Sequence, residues 1–230
     1  EMEGLFQALR SSSRASERQL KDLDRKFWFM PDAPRDYQGC DEQLNDLITC
    51  LLDQRIAVLS YRGRQQPAEV VRLRPYTLIV RRECLYVLGV VEQPDGGFQA
   101  GVRLFDLTRI ESCQRLRETF DLPDEWDPAQ VFRESFGVFI PREGEAPATR
   151  VLLSFDGGVG KTIQRRRWHE SQQWSQASDG RCLLEMQLRI CPELVHWLVS
   201  FGPKVRVRLP LELREAVLRE HREALEAYAD

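Results

Sequence analysis

The stretch VRLRPYTLIVRRECLYVLG, residues 71–89, decides the fold, because it holds two β-prone segments separated by charged residues. With Glu69 and Val70 added, the first segment predicts a strand over residues 69–78, and the second predicts a strand over residues 84–92. Further short strands are predicted on both sides, over residues 56–61, 101–106 and 110–116. The turn signals Arg62-Gly63-Arg64 and Pro94-Asp95-Gly96-Gly97 separate neighbouring strands.

A helix precedes these strands. Residues 41–53 carry an apolar stripe, and Asp41 is its predicted N-cap. The stripe consists of Leu44, Leu47, Ile48, Leu51 and Leu52. One short helix followed by five short antiparallel strands is the order of an Sm-like or SH3-like small β-barrel. A barrel removes exposed sheet edges, which suits strands this short.

The C-terminal block predicts a ferredoxin-like β-α-β-β-α-β order with one more helix at the end. Its strands are predicted over residues 150–155, 169–176, 182–190 and 204–209, and its helices over residues 158–165, 192–201 and 211–228. Pro192 suits a helix start, and Gly202-Pro203 suits a helix end. The predicted fold class is therefore α+β.

Two segments connect these blocks. Residues 1–30 predict a helix that Pro31 and Pro34 stop, and its apolar stripe predicts a homodimer. Residues 120–148 are rich in proline and acids and predict a linker, anchored by Phe132, Phe136 and Phe139. The predicted organisation is a connector over residues 1–40, a barrel domain over 41–119, the linker over 120–148 and a second domain over 149–230.

Composition narrows the class of protein. The chain has 230 residues, 42% of them hydrophobic, and a formal net charge of −3. It contains neither an apolar run of the roughly 20 residues that cross a bilayer nor a signal peptide at the given start, which predicts a cytoplasmic protein. The six cysteines form no C-x-x-C pair and are predicted to be buried, reduced side chains. The spacing of Cys182, Cys191 and His196 disfavours a metal site, and no cofactor is predicted.

The string GGVGKT, residues 157–162, is similar to a phosphate-binding loop because it follows a predicted strand. Phe155 stands where that loop requires glycine, and Arg165, Arg166 and Arg167 follow where an apolar helix is needed. The three histidines, His169, His196 and His221, belong to no recognisable catalytic motif. The sequence therefore predicts a protein that is not an enzyme.

A family resemblance enters over residues 56–116. Four pieces are similar in order and spacing to the WYL domain. They are Tyr61-Arg62-Gly63, Val71-Arg72-Leu73-Arg74-Pro75-Tyr76-Thr77-Leu78, Leu85-Tyr86-Val87, and R-x-F-x-x-x-R-I over residues 103–110. The signature triplet of the family falls on Leu85-Tyr86-Val87, and only its tyrosine, Tyr86, is retained here. Downstream, Arg166-Arg167-Trp168-His169, Trp197 with Phe201-Gly202, and residues 205–214 resemble the C-terminal extension of WYL regulators, called WCX.

The resemblance implies the sensing and dimerising part of a bacterial transcription regulator. Such regulators carry an N-terminal winged helix-turn-helix that contacts the DNA operator, and this chain does not include one. The resemblance also implies a homodimer and a nucleic-acid fragment or nucleotide as the effector. The alternative is a stand-alone RNA-binding or scaffold module built on an Sm-like barrel. The residues upstream of Glu1 in the native protein distinguish the two.

The predicted ligand-binding residues combine aromatic faces with permanent cations, as recognition of bases and phosphates requires. They are Tyr61, Arg62, Arg72, Tyr76, Tyr86, Arg103 and Arg109, with possible second-domain contacts from Arg166, Arg167, Lys204 and Arg206. Tyr61, Arg72, Tyr86, Arg103 and Arg109 are expected to line one face of the barrel. In the alternative interpretation the tyrosines belong to the core and the arginines form ion pairs within the domain.

Overall fold

The computed structural model describes residues 35–63, 67–93, 97, 101–140 and 146–229. The chain divides into two compact units. One comprises Glu1–Asp36 and Arg82–Cys84, and the other comprises Tyr37–Arg81 and Leu85–Asp230. The predicted helix over residues 1–30, its two prolines and most of the turn at residues 94–97 lie outside the described residues.

The described structure is α+β, as predicted, and its larger unit holds two antiparallel sheets. The helices are α1 (Asp41–Leu52), α2 (Pro128–Phe132), α3 (Gly157–Ile163), α4 (Pro192–Val199) and α5 (Leu211–Ala227). The strands are β1 (Arg55–Arg62), β2 (Ala68–Arg81), β3 (Cys84–Val91), β4 (Arg103–Asp106), β5 (Ile110–Thr119), β6 (Thr149–Phe155), β7 (Gln173–Gln176), β8 (Cys182–Leu188) and β9 (Val205–Leu209). Short 3₁₀ turns lie at Leu107–Arg109 and Gly202–Lys204.

The first sheet has the strand order β4-β3-β2-β1-β5. The central strand β1 pairs with β2, where Leu59 faces Val71, and with β5, where Leu59 faces Cys113. The closed barrel predicted from the sequence is wrong, because β4 and β5 are the two edges of this order. The 3₁₀ turn Leu107–Arg109 carries the chain directly from one edge strand to the other. The Sm-like name stays a prediction.

Helix α1 covers one face of the first sheet. Leu47 and Cys50 of α1 are fully buried against the strand side chains of this core. Those strand side chains include Ala57, Leu59, Val71, Leu73, Val87 and Phe105. The predicted N-cap Asp41 is wrong by one residue, since the Cys40 carbonyl accepts the first helical bond, from the N–H of Leu44.

Polar contacts fix α1 along β5. Arg115 Nε lies 2.9 Å from Asp46 Oδ1, and Gln43 Nε2 donates to the Glu111 carbonyl at 3.2 Å.

The thiols of Cys50 and Cys113 share a hydrogen bond that lowers the pKa of Cys50 and, together with burial, raises the pKa of Cys113. All six cysteines are free thiols. Cys50, Cys182 and Cys191 are buried as predicted, whereas the predicted burial is wrong for Cys40, Cys84 and Cys113, which are only half-buried.

The second sheet has the order β7-β8-β6-β9, and the elements follow the predicted β-α-β-β-α-β sequence with α5 after it. Alternate residues of β6 and β8 face a core completed by α4 and α5. Leu153, Leu184, Leu194 and Leu213 are fully buried there. Pro192 occupies the first turn of α4, as predicted. The ferredoxin-like name stays a prediction.

Several predicted boundaries in this block are wrong. The strand expected from His169 begins only at Gln173, because the Gln172 side chain accepts from the N–H of Trp168 at 2.6 Å and holds a turn. Helix α4 ends at Val199, before the Gly202-Pro203 signal, which instead forms a 3₁₀ turn. Helix α3 begins one residue earlier than expected because Asp156 caps it, and it ends at Ile163, two residues before the predicted end.

The linker is held by aromatic side chains. Trp126 Nε1 donates to Thr77 Oγ1 of β2 at 2.9 Å, and Phe136 is buried in the second core. Phe139 packs against that core as predicted, whereas Phe132 is only half-buried at the end of α2. Residues 141–145 lie outside the described part of the chain.

The far end of β2 is tied to the second domain through a single carboxylate. Glu193 of α4 accepts from Arg81 Nη1 at 2.8 Å and from the N–H of Val138 at 3.0 Å. Gly137 lies beside this contact with φ +96°, and a Cβ there would collide with the carboxylate of Glu193 and with Arg81. The position therefore requires glycine for space as well as for its left-handed backbone.

Candidate ligand site on the first sheet

Four predicted or neighbouring side chains form a stack at one end of the first core. The guanidinium of Arg109 lies 5.2 Å from the ring centre of Tyr61, and Tyr61 meets Phe105 edge-to-face at 4.9 Å. The guanidinium of Arg103 lies 4.8 Å from the ring centre of Phe105. Two cations therefore flank two aromatic rings, an arrangement that stabilises both guanidinium groups.

Strand pairing brings these residues together. Tyr61 of β1 faces Glu69 of β2 and Ile110 of β5, so Arg109 comes next to Tyr61 at the start of β5. Arg103 and Phe105 are two residues apart on β4 and therefore share a face. Phe105 and Tyr61 are both buried, which makes the two rings part of the core as well as of the stack.

The two cations of the stack differ in their partners. Arg103 Nη2 donates to Glu69 Oε1, so this charge is compensated within the domain. Arg109 has a buried nitrogen, Nη2, that lacks a hydrogen-bond partner among the described residues. A buried guanidinium N–H without an acceptor is costly, and an anionic ligand would supply one.

The expectation that five residues share one face is wrong for Arg72 and Tyr86. Arg72 pairs with Val58, and its neighbours Val71 and Leu73 are the ones that enter the core. Tyr86 faces Asp106, whereas the adjacent pair Val87 and Phe105 enters the core. Since successive side chains of a strand point to opposite faces, Arg72 and Tyr86 lie on the face opposite to the stack.

On that opposite face, Arg72 is engaged by two carboxylates. Its Nε donates to Glu92 at 2.9 Å and its Nη2 to Glu118 at 2.6 Å. These bonds raise the pKa of Arg72. Arg74 also donates to Glu92, at 3.1 Å. This network has the form expected of structural ion pairs.

The remaining predicted residues of the first sheet also have protein partners. Arg62 Nε donates to Glu111 Oε1 at 2.6 Å, and Arg62 itself is exposed. Tyr76 packs edge-to-face on Trp126, with ring centres 4.9 Å apart. Tyr76 therefore contributes to holding the linker.

The predicted second-domain cations come from different elements. Arg166 and Arg167 follow α3 and are exposed, and the guanidinium of Arg166 lies 6.0 Å from the ring centre of Trp168. Lys204 ends the 3₁₀ turn before β9, and Arg206 projects from the exposed side of β9. Among the described residues, none of these four cations forms an ion pair.

The GGVGKT string forms the short helix α3 instead of an open loop. The carboxylate of Asp156 accepts from the N–H of Gly158 at 3.1 Å, which is where a phosphate would need to bind. Within the described residues, no group of three or more histidine, cysteine or acidic side chains is arranged to hold a metal ion. In that same part of the chain, no helix is long and apolar enough to cross a membrane.

Sequence reasoning missed Phe105 and Glu69 as parts of the stack. Phe105 was visible as the central residue of R-x-F-x-x-x-R-I, but the motif does not show that its ring links Tyr61 to Arg103. Glu69 has no sequence signal, because its role follows from the strand register that places it across from Tyr61.

Comparison with known proteins agrees with this organisation. The family model of the WYL domain matches residues 42–115, and that of the WCX domain matches residues 147–225. A comparison with curated protein sequences gives no significant match.

Among solved structures, the chain is similar to proteasome accessory factor B/C (PafBC) of Arthrobacter aurescens, at 21% identity and a TM-score of 0.36. It is also similar to a CRISPR Cas-related protein, at 12% identity and a TM-score of 0.48. Each match covers 81% of this chain, but the chain spans only 27% and 51% of the respective matched chains. The family assignment therefore depends on the two domain models. The chain belongs to the family of WYL-domain proteins in which a WCX domain follows the WYL domain.

Proposed function

We propose that the chain is the effector-sensing and dimerising region of a bacterial transcription regulator. The effector is a single-stranded nucleic-acid fragment or a nucleotide, and it controls operator binding by a winged helix-turn-helix domain beyond this sequence. The WYL and WCX matches support a regulatory sensing role. The homodimer, the operator and the cytoplasmic location are parts of the same proposal.

The observation that carries the proposal is the unpaired Nη2 of Arg109 beside the ring of Tyr61. A phosphate oxygen accepts hydrogen bonds from a guanidinium group, and this charge-assisted bond would satisfy the unpaired nitrogen. Arg103 lies at the other end of the same stack, with Glu69 as its partner. A phosphate that displaces Glu69 would engage both cations of the stack.

The long strand β2 supplies a route from this site to the second domain. Glu69 contacts Arg103 near the start of β2, and Arg81 contacts Glu193 of α4 at its end. Between them, Thr77 accepts from the linker residue Trp126. A ligand that changes the position of Glu69 would therefore act on a strand that holds both the linker and α4.

Fluorescence anisotropy with a labelled short single-stranded DNA tests the effector site. We expect binding that weakens steeply with salt, and Arg109→Gln should reduce affinity roughly ten- to a hundredfold while the melting temperature is kept. Arg115→Gln is the matched control, because Arg115 already bonds Asp46. Equal affinities for wild type and Arg109→Gln would place the effector elsewhere. Mass spectrometry of molecules that copurify with the protein would then identify it.

A further inference from the structure

The outward face of the second sheet carries a cluster of cations around Ser154. Ser154 is fully buried although it belongs to the face opposite the core, because Arg181 covers it. Arg181 Nε donates to the Ser154 hydroxyl at 2.8 Å, and its Nη2 donates to the Ser154 carbonyl at 3.1 Å. These two bonds fix the guanidinium of Arg181 on the sheet.

A second arginine, Arg206, lies on the strand next to Ser154. Ser154 pairs directly with Arg206 of β9, so the residue that holds Arg181 is the cross-strand neighbour of Arg206. Arg206 and Arg208 are exposed and, being two residues apart, share one face of β9. The two exposed cations of β9 and the guanidinium fixed on Ser154 of β6 give this face a local positive potential, which attracts an anion.

The carboxylates near this cluster are already engaged. Asp179 accepts from the backbone N–H of Arg181 at 3.1 Å, and Asp156 caps α3. Glu185, on the same face, accepts hydrogen bonds from Arg150 Nε at 2.7 Å and from Arg150 Nη2 at 2.8 Å. Within the described part of the chain, Arg181, Arg206 and Arg208 therefore have no carboxylate partner.

We propose that Arg181, Arg206 and Arg208 form a phosphate-binding site on the outward face of the WCX sheet, which takes the phosphodiester backbone of single-stranded nucleic acid. The fork of Arg181 is held in advance by Ser154, and a fixed guanidinium is suited to phosphate oxygens. The half-buried side chains of Leu152 and Leu183 lie on the same face and add apolar surface near Ser154.

This site deepens the proposed function, on which it rests for the class of ligand only. It lies on another sheet than the Arg109 stack and uses other residues. Each site can therefore fail without the other.

An NMR titration of the whole chain with inorganic phosphate and, separately, with a short single-stranded DNA tests the site. We expect the backbone amide signals of residues 154, 181 and 205–208 to shift with both probes, and the DNA to bind more tightly because it contacts several cations at once. Arg181→Gln should abolish these shifts with phosphate and weaken DNA binding about tenfold. Arg181→Lys, which keeps the charge without the fork, should fall between the two.

Arg150→Gln is the matched control, since Arg150 lies on the same face and its charge is compensated by Glu185. Arg109→Gln should leave the shifts of residues 154, 181 and 205–208 unchanged.

The site is refuted if these amide signals do not shift in the wild type, or if Arg181→Gln and Arg206→Gln bind both probes as the wild type does. If Arg109→Gln loses DNA binding and DNA does not shift the WCX amides of the wild type, this site is refuted and the proposed function is supported. Shifts with phosphate alone would limit the site to free anions and overturn its assignment to nucleic acid.

Discussion

Arginines of the two sheets differ in whether a carboxylate compensates their charge. On the first sheet, Arg62, Arg72, Arg74, Arg103 and Arg115 each contact a carboxylate. On the second, Arg181, Arg206 and Arg208 contact none among the described residues, and only Arg150 is paired on that face. The amino-acid type is the same, but its charge is compensated in one region and available in the other.

This difference changes how the sequence motifs are interpreted. An arginine in a sequence motif can form a cross-strand ion pair or contact a ligand, and the motif alone does not distinguish the two; here Arg72 and Arg103 both have carboxylate partners. Arg109, in the turn before β5, differs from these paired arginines because it stacks on Tyr61 and has a buried nitrogen without a partner among the described residues. We therefore expect loss of a paired arginine to affect stability first and loss of an unpaired one to affect binding first.

The largest stability effect is expected for Arg72→Ala. The change leaves Glu118 without this partner and leaves Glu92, whose side chain is only 11% exposed, with Arg74 alone. Because Arg72 itself is 41% exposed, solvent screens part of the loss, and we expect the free energy of unfolding to fall by about 1–2 kcal/mol. Urea unfolding followed by circular dichroism measures it.

Arg150→Ala is the control for this comparison, because its pair with Glu185 is bidentate but lies on the exposed face of the other sheet. It should lose clearly less stability than Arg72→Ala. The same Arg72→Ala protein also tests the ligand contact predicted from the sequence. If it keeps its stability and loses oligonucleotide affinity, Arg72 is a ligand residue and the distinction between paired and unpaired arginines fails.

Much of the fold could be predicted from the sequence because the helices and strands depend on local residue patterns. β-prone residues and turn residues gave the strands of both sheets, and the signal at Pro192 gave the start of α4. Barrel closure could not be predicted, because it depends on whether β4 and β5 pair across the sheet. The grouping of site residues failed for a similar reason, since Arg72 and Tyr86 are assigned to a face by register and not by motif.

A smaller effect, limited to the second region, is expected from pH. His169 is buried, its Nε2 has no partner among the described residues, and burial lowers its pKa below the ordinary value. Below that ordinary value, near pH 6.5, the unfolded chain takes up a proton that the folded chain resists. Stability should therefore be fully present above about pH 7 and should fall as the pH drops toward about 5.

Urea unfolding of wild type and His169→Gln at both pH values measures this contribution. The variant should lose less stability than the wild type on acidification. His196→Gln, a change at an exposed histidine of α4, should follow the wild type. An unchanged pH dependence in His169→Gln would show that other groups are responsible.

The smallest expected effect is none at all, for Lys161→Ala. Lys161 lies in the second region, which holds the cations without a carboxylate partner, and it belongs to the string GGVGKT. A phosphate-binding role for Lys161 would extend the comparison to α3. Two features oppose that role. Asp156 occupies the N–H of Gly158, and Gly160 is packed so closely that a Cβ there would collide with Cys182. The glycines therefore allow α3 to pack on β8 and do not open a loop for phosphate.

We expect ATP turnover at background in both wild type and Lys161→Ala, measured by release of inorganic phosphate, together with unchanged DNA binding. A measurable ATPase that disappears in Lys161→Ala would contradict this and would make the protein an enzyme.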